Sequence, residues 1–269
     1  MPVAPGLPAV TAYPGPELVV AAFVETWRHL LAVMPGAWAV AEPGALAGVT
    51  GVALPTLNGV WAHGTDVSPD VIGDLLDRVA ATGLPHCLQV RPAASDLLAG
   101  LVAARGMTPA GNVPLMALAG PARLTAAPPA GLTFRELVPD EAHVHAEMTA
   151  AGFELPLEPF RQLVTPAMLS APGARCYLGE VDGRAVTTGL SHTSGAYAAI
   201  FNIATLPAYR RRGYGAAVTA RAVADGIGAG AEWSWLQASE AGYPVYRRLG
   251  FRTVEDWPSW LSSGTAKGQ

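Results

Sequence analysis

The stretch RRRGYG, residues 210–215, decides the fold class of the second half of this 269-residue chain. It follows the apolar run YAAIFNIAT, residues 197–205, which is typical of a buried strand. It precedes the Ala- and Val-rich run 215–227, which is typical of a buried helix. A turn of this kind gathers unpaired backbone N–H groups and the positive end of a helix dipole at one point. The stretch therefore predicts an anion site of the sort that holds phosphate.

The residue types in this turn support that prediction. Gly213 and Gly215 lack the Cβ atom that would keep an anion away from the backbone, and three arginines supply positive charge. A lone Gly-x-Gly is weak evidence, and a solvated basic turn is the alternative interpretation. The context favours a binding loop, because the same half ends in YPVYRRLGF, residues 243–251, which predicts a short helix closed by Gly250 and a further strand.

The composition limits the class of protein. Half of the residues are hydrophobic and 14% are charged, which is typical of compact globular domains rather than of a disordered chain. The net charge of −4 provides no general basic field for nucleic acid or for an anionic membrane. The N-terminus has no secretory pattern, and no run of about 18 apolar residues occurs. We expect a cytoplasmic protein that binds neither nucleic acid nor membrane, and a homodimer remains an open alternative to a monomer.

The two cysteines, Cys87 and Cys176, lie far apart in the sequence, and neither has a second Cys or a His at metal-ligand spacing. We expect both to be reduced and buried, and we expect no metal site. A catalytic thiol would need neighbouring cations or a helix N-terminus to lower its pKa, and the sequence indicates neither.

The chain length suits two domains. The proline-rich segment PARLTAAPPA, residues 121–130, is typical of a linker, so we place one domain at 1–120 and the other at 131–269. Both halves contain the order strand, helix, strand, helix, Gly, strand. The similarity of LVAARGM, residues 101–107, to VYRRLGF, residues 245–251, supports an internal duplication.

Local patterns predict individual elements. The Asp182-Gly183 pair between two apolar runs predicts a tight hairpin. The segment 157–169 is expected to form one helix, and the segment 48–53 in the first half is expected to form a strand.

These features resemble the GCN5-related N-acetyltransferase (GNAT) superfamily. That family has an R/Q-x-x-G-x-G/A loop for the pyrophosphate of CoA and a later Tyr-x-x-x-Gly-Phe segment. The two are matched here by residues 210–215 and 246–251, in the same order and on the same elements, and the resemblance covers about 131–257. It implies a mixed α/β fold with two tandem acyl-CoA N-acyltransferase-like domains, the first of them degenerate.

The resemblance also implies a reaction and a co-substrate: transfer of an acetyl group from acetyl-CoA to an amine of a small molecule or peptide. Backbone N–H groups of residues 211–216 would bind the pyrophosphate, and the splayed strand end 203–205 would pair with the pantetheine amides. The implied cofactor-binding residues are Ile203, Ala204, Thr205, Arg210, Arg211, Arg212, Gly213, Tyr214, Gly215 and Ala216. Arg210 would hold the loop or touch phosphate. Arg211 or Arg212 would reach the adenosine phosphate, unless one of the three is simply solvated.

Tyr246 falls where many members of the family place the residue that protonates the departing CoA thiolate, so it is the implied catalytic residue. The alternative is that Tyr246 only packs against the cofactor. Ser239 either bonds the pantetheine arm or Tyr246, or serves as a structural hydroxyl.

An attacking amine must be unprotonated, so a base or a chain of waters must take its proton. Some members of the family carry a glutamate on the strand before the loop, but the matching residue here is Ala199, which cannot accept a proton. His192 on the neighbouring strand is a candidate base, although a lone His is often structural. Asn202 could only orient a water.

Three acidic residues near the end of the chain, Glu240, Glu255 and Asp256, either attract a cationic amine or belong to a solvated surface. The acidic net charge favours a small cationic amine over a basic partner. A different class of function also fits, namely an acyl-CoA-binding sensor without turnover, because the strand carboxylate is missing.

The first half lacks the arginine-glycine loop. After Trp61 the chain continues AHGTDVSPDVIGDLL, in which Gly64 and Gly73 are too far apart to form a phosphate cradle and no arginine lies between them. We therefore expect an inert first domain that shapes the substrate cleft or stabilises the second. Trp27, Trp38 and Trp61 either line such a cleft or, more simply, pack in the core.

Overall fold

The computed structural model describes residues 12–120, here called the first half, and residues 128–262, the second half. Most of the predicted linker, residues 121–127, lies outside the described residues. The helices are α1 Pro16–Val33, α2 Pro69–Ala80, α3 Ser95–Ala104, α4 Ala142–Phe153, α5 Leu157–Leu163, α6 Pro166–Leu169, α7 Tyr214–Gly228 and α8 Tyr243–Leu249. The strands are β1 Trp38–Glu42, β2 Ala45–Val49, β3 Asn58–Ala62, β4 Cys87–Val90, β5 Thr108–Ala119, β6 Leu132–Glu136, β7 Ala174–Val181, β8 Arg184–Ser194, β9 Tyr197–Thr205, β10 Trp233–Gln237 and β11 Arg252–Leu261.

These strands form one mixed sheet in the order β1-β2-β3-β4-β11-β5-β10-β9-β8-β7-β6. Two neighbouring pairs are parallel, β3 with β4 and β9 with β10, and the other pairs are antiparallel. A helix connects the members of each parallel pair, α2 in the first half and α7 in the second, as parallel pairing requires. The mixed α/β class predicted from the sequence is confirmed.

The two halves exchange strands at the centre of this sheet. Strand β5 of the first half lies between β10 and β11 of the second, and β11 lies between β4 and β5 of the first. Each half also contains the series strand, helix, strand, helix, strand, as β3-α2-β4-α3-β5 and as β9-α7-β10-α8-β11. The repeat agrees with a duplication. The boundary between 1–120 and 131–269 stays a prediction along the chain, because in space the halves share one sheet.

In the second half, alternate residues of β9 face two different helical layers. Ala198 and Ile200 pack with α7 and α8, whereas Ala199 packs with α1 of the first half. On the face of Ala199 the layer continues through α4, α5 and α6, which pack on β7 and β8. Helix α1 therefore lies on the second half as well as on its own.

Two local predictions need correction. The segment 157–169 forms two helices, α5 and α6, rather than one. Pro166 has no backbone N–H and forces the residue before it, Thr165, into an extended conformation. The strand predicted at 48–53 is β2, which ends at Val49, because the Asn58 side chain binds the next turn through the N–H of Thr50 and the carbonyl of Val52.

The hairpin prediction is confirmed. Strands β7 and β8 meet at Asp182 and Gly183, which have φ values of 50° and 71°. Positive φ at both central residues is the conformation that this turn requires.

The tryptophans of the first half pack in the core. Trp61 is fully buried, Trp27 stacks on it with ring centroids 4.1 Å apart, and Trp38 packs on the cluster around α2.

Both cysteines are buried, and burial raises the pKa of each thiol to about 12, so neither is a thiolate near neutral pH. Within the described ranges, no helix combines the length and apolar character needed to cross a bilayer, and no group of His, Cys, Asp and Glu is arranged to hold a metal ion.

Candidate active site

The sheet opens between β9 and β10. Their parallel pairing ends at Ala199 opposite Trp235, while β9 continues to Thr205. Beyond Ala199, the edge of β9 that faced β10 has no partner strand among the described residues. The equivalent strands of the first half stay together, since β3 and β4 pair to their ends and the N–H of Arg91 donates to the carbonyl of Ala62. Within the described sheet, only the second half therefore presents an unpaired strand edge at this position.

A β-bulge lies at the opening. Ala204 pairs with Thr188 and Phe201 pairs with Leu190, so Asn202 and Ile203 together face one residue of β8. Asn202 has a φ of 52°, which an Asn tolerates better than most residues. Bulges redirect the backbone beside functional sites. Here the bulge begins the strand end 203–205 that the sequence predicts for the pantetheine arm.

A turn rich in unused N–H groups follows β9. Gly213, with a φ of 85°, is the N-terminal cap of α7. Among the described residues, no acceptor receives the backbone N–H groups of residues 211–216. A Cβ atom on Gly215 would lie 3.4 Å from Thr205 Oγ1, so this glycine brings the start of α7 close to the end of β9. The turn has the chemistry of a phosphate cradle.

The three arginines of the loop do different things. Arg210 holds the loop in place: its Nη2 donates to the carbonyl of Gly152 at 2.7 Å and lies 2.8 Å from Glu154 Oε2, both at the end of α4. Arg212 stays within the loop, donating to the carbonyl of Ala208 at 3.2 Å.

Arg211 has a side chain without a partner in the described part of the chain. Together with its two neighbours and Pro207 it lines a depression of about 720 Å³ beside the N–H groups. Arg211 is therefore the arginine most available to an added phosphate.

Tyr246 lies in α8, on the same side of the sheet as α7. Its ring contacts Gly242, where a Cβ would come within 2.7 Å of Cε2, and meets Phe251 edge-on with centroids 6.0 Å apart. No hydrogen-bond partner for its hydroxyl occurs in the described ranges. Burial raises the pKa of Tyr246 to about 12, so the phenol keeps its proton at neutral pH. Ser239 accepts a hydrogen bond from the Gly242 N–H at 3.2 Å, which agrees with its structural interpretation.

A cavity of about 370 Å³ lies on the opposite side of the sheet, next to the opening. Helix α1 of the first half forms one wall, α6 and the segment before β7 form another, and β8 and β9 form the floor. Phe201, which follows the point where β9 and β10 separate, also lines the cavity. The cavity is therefore contiguous with the region where the strand edge is free.

His192 lies on the floor of this cavity. It pairs with Ala174 on one side and Ala199 on the other, so small residues flank the imidazole across the strands. Its Nδ1 atom is buried and has no hydrogen-bond partner within the described chain. Burial lowers its pKa, and the neighbouring His29 ring acts in the same direction, while the Pro172 carbonyl and the Glu25 carboxylate oppose them. The imidazole is therefore neutral near pH 7 and can accept a proton.

The acidic candidates do not gather at this site. Glu255 is held in an ion pair with buried Arg91, whose Nε donates to it at 2.8 Å, and it also accepts from Trp257 Nε1 at 2.9 Å. Asp256 accepts from Asn112 at 2.9 Å. Glu240 is exposed. Glu255 therefore neither attracts a cationic amine nor belongs to a solvated acidic surface, because its carboxylate is paired with Arg91 of the first half.

Residues 172–253 match the family model described as Acetyltransferase (GNAT) domain. The second half contains a GNAT domain. The match includes the loop 210–215 and Tyr246, and it begins just before β7 and ends within β11. This domain belongs to an acyltransferase family. No curated protein matches the sequence significantly.

Solved structures share the fold of the whole chain. A GCN5-related N-acetyltransferase from Kribbella flavida has 20% identity and a TM-score of 0.68, covering 92% of this chain and 96% of its own. A GCN5-related N-acetyltransferase from Sphaerobacter thermophilus has 18% identity and a TM-score of 0.63, covering 93% and 94%. A tandem GNAT protein from the clavulanic acid biosynthesis pathway has 15% identity and a TM-score of 0.56, covering 96% and 99%. At these identities the likeness concerns the fold, which is that of GNAT proteins, a tandem one included.

The sequence reasoning missed one part of the site. His29 comes from α1 of the first half and meets His192 edge-on, with ring centroids 5.4 Å apart. No pattern in the sequence links these two residues, because the contact depends on how α1 crosses the shared sheet. The alternation of β8 does place His192 on the same face as Leu190, but it does not show that a cavity lies above that face.

Proposed function

We propose that this protein is an N-acetyltransferase, which transfers the acetyl group of acetyl-CoA to an amine of a small molecule or peptide. The observation that carries the proposal is the set of unpaired N–H groups of residues 211–216, at the mouth of the only opened parallel strand pair in the described sheet. A polyphosphate co-substrate with a long amide-bearing arm matches both features. Its phosphates would meet the helix N-terminus, and its amides would meet the free edge of β9.

The chain supplies matching groups along this path. Arg211 is free to pair with a phosphate, and Arg210 keeps the loop in place through α4. The free edge at 203–205 offers backbone donors and acceptors to the pantetheine amides. Hydrogen bonds between these amides and the backbone of β9 would resemble those of an added strand, which is how extended ligands bind to open sheet edges.

Tyr246 is proposed to act on the sulfur. The amine nitrogen forms a bond to the acetyl carbon as the carbon–sulfur bond breaks, and the nitrogen loses a proton. The Tyr246 hydroxyl donates its hydrogen bond, and then its proton, to the leaving sulfur, and it regains a proton from solvent. Because its pKa is raised to about 12, the phenol remains a donor at any physiological pH.

A titration with a matched control tests the proposal. In Gly215→Val the new side chain would crowd Thr205 and Ile203, where the start of α7 meets the strand end that the co-substrate would follow. Gly228→Val changes the far end of the same helix, where a Cβ meets nothing within 4 Å. We expect acetyl-CoA to bind the wild type and Gly228→Val, as measured by calorimetry, and to bind Gly215→Val at least about tenfold more weakly. If acetyl-CoA does not bind the wild type, the proposed function is refuted.

Turnover separates the enzyme from the sensor. Free thiol released from acetyl-CoA is followed in parallel with a panel of amines. Binding with thiol release for some amine supports the transferase. Binding without release for any amine would instead favour an acyl-CoA-binding sensor.

A further inference from the structure

The cavity beside His192 has the features of an acceptor site that is built by both halves. Thr26, His29 and Leu30 of α1 form the wall from the first half, and Leu190 and Phe201 belong to the second. Its volume of about 370 Å³ suits a small molecule, since ligand pockets begin near about 300 Å³. A folded protein substrate could offer it no more than one side chain.

The chemistry of the lining is mostly apolar and carries no fixed charge. No Asp, Glu, Lys or Arg lies among the described residues that line the cavity. One carboxylate contacts the lining: Glu25 accepts a hydrogen bond from Ser194 at 2.9 Å. Glu25 is exposed and lies outside the lining. A cationic group that entered the cavity would lose its water, and the exposed Glu25 carboxylate outside the lining would compensate only weakly for that loss.

We infer that this cavity binds the acceptor, and that the acceptor is a small amine with an apolar body that is uncharged in neutral water, such as an aromatic amine. The inference rests on the proposed acetyl transfer. It replaces the small cationic amine that the acidic net charge of the sequence favours.

The groups of the cavity fit the reaction of such an amine. About one lysine-like amine in a thousand is uncharged at pH 7.4, given a pKa of about 10.4, so an alkylamine would need a strong base nearby. An aromatic amine is already uncharged and releases its proton only as the new bond to the acetyl carbon forms. His192, which lines the cavity, is the acceptor for that proton, which then passes to solvent.

Matched amines give the test. Thiol release is measured with 4-ethylaniline and with 4-ethylcyclohexylamine, which have similar shapes and different basicity. At pH 7.4 we expect kcat/KM to be at least tenfold higher for the aromatic amine. For the saturated amine, kcat/KM should rise about tenfold per pH unit between 7 and 9, because its uncharged fraction does. Equal or faster turnover of the saturated amine at pH 7.4 would overturn the inference.

Variants locate the binding site. Ala174→Leu narrows the cavity from the start of β7, beside His192, and Ala32→Phe narrows it from an exposed position on α1. Ala21→Phe, exposed on the same helix and outside the cavity lining, is the control. We expect both cavity variants to weaken 4-ethylaniline binding at least fivefold while acetyl-CoA affinity stays unchanged, and we expect the control to alter neither. Unchanged aniline binding in Ala32→Phe, the variant with the smaller risk to folding, would contradict the cavity assignment.

The two levels of proposal can fail separately. If acetyl-CoA does not bind, acetyl transfer is wrong, and the cavity is judged on direct calorimetric binding of 4-ethylaniline alone. If 4-ethylaniline binds the wild type and the cavity variants weaken that binding, the cavity assignment is still supported. If 4-ethylaniline does not bind the wild type, the assignment is overturned. If acetyl-CoA binds and only charged amines are acetylated, the transferase stands and the assignment of the acceptor falls.

Discussion

Tyr246 combines two properties that a proton donor needs. The bare backbone of Gly242 lets the ring approach, and Phe251 supports its edge, so the orientation of the phenol is fixed while its hydroxyl has no partner among the residues that the structure describes. The turn after α8 is tied to the first half, since Tyr13 donates its hydroxyl hydrogen to the carbonyl of Gly250 at 2.8 Å. The position of the proposed donor therefore depends on both halves.

Replacement of Tyr246 by Phe is expected to lower kcat by about a hundredfold, since general acids contribute at least about that factor. The ring packing stays intact, so the thermal midpoint and the acetyl-CoA affinity should not change. Steady-state thiol release and calorimetry measure the two effects. Tyr243→Phe on the same helix, whose hydroxyl contacts Thr253, is the control. A kcat of Tyr246→Phe equal to that of the wild type would assign the ring to packing alone.

His192 should set the acidic limb of the pH profile. Because burial lowers its pKa below the ordinary 6.5, the imidazole stays neutral and active in more acidic solution than an exposed histidine would. The groups that face it are His29 and Glu25 from α1, and they act in opposite directions. We expect kcat/KM for an aromatic amine to remain level from pH 8 to about 6.5 and to fall only below it. His192→Gln should lower kcat about a hundredfold and remove this limb. A wild-type limb centred above pH 7 would show that another group accepts the proton.

Among the elements, β9 joins the two sides of the site. One of its faces supports α7, the other contributes to the cavity beside His192, and its free edge runs between them. The bulge at Asn202 lies within this free edge, beyond the last residue of β9 that pairs with β10. The geometry of a single strand thus sets the path from the phosphate cradle to the cavity.

The contribution of the bulge to stability and to acetyl-CoA binding can be tested, because Asn202 has a left-handed backbone conformation. Valine at this position is expected to destabilise the fold by about 1–2 kcal/mol, measured as the free energy of unfolding in urea, because a side chain branched at Cβ is strongly disfavoured at positive φ, whereas Asn tolerates it. It should also weaken acetyl-CoA binding, since the strand end must adjust. Asn202→Gly accepts the same φ and should bind acetyl-CoA like the wild type. Equal free energies of unfolding for the two variants would mean that the fold does not depend on the conformation of the bulge.

Several elements could be predicted from the sequence because their signals are local. The strand before the arginine-glycine loop, the loop itself, the helix after it and the Asp182-Gly183 hairpin all follow from residue types within a short window. The bulge at Asn202 could not be predicted, since no neighbouring residue requires it. The break before Pro166 was available in the sequence, but the apolar pattern on both sides of it masked the signal.

At the scale of the whole molecule, the halves cannot be separated without opening the sheet. Removal of the second half would take β11 from between β4 and β5, and removal of the first would take β5 from between β10 and β11. Buried Arg91 adds a polar link, since it pairs with Glu17 of α1 and with Glu255 of β11. The sequence predicts the strands themselves, but not these partners, because alternating apolar residues identify a strand without identifying its neighbour.

A cut in the linker tests this exchange. A protease site inserted at 121–127 and cleaved after folding should leave the two fragments together in gel filtration, with one cooperative unfolding transition and unchanged acetyl-CoA affinity. Each fragment expressed alone should aggregate or remain unfolded, because its exposed strand edges and apolar faces have lost their cover. Separation of the nicked halves into two folded, monomeric species would refute the shared sheet.

The position of β11 at residues 252–261 also has a consequence for how the protein is made. The ribosome translates β4 and β5 long before β11, the strand that lies between them. The first half therefore cannot complete its sheet when its own residues have been made, although N-terminal domains commonly fold first. Until β11 has been translated, the nascent chain must carry open strand edges, the kind of surface that chaperones shield.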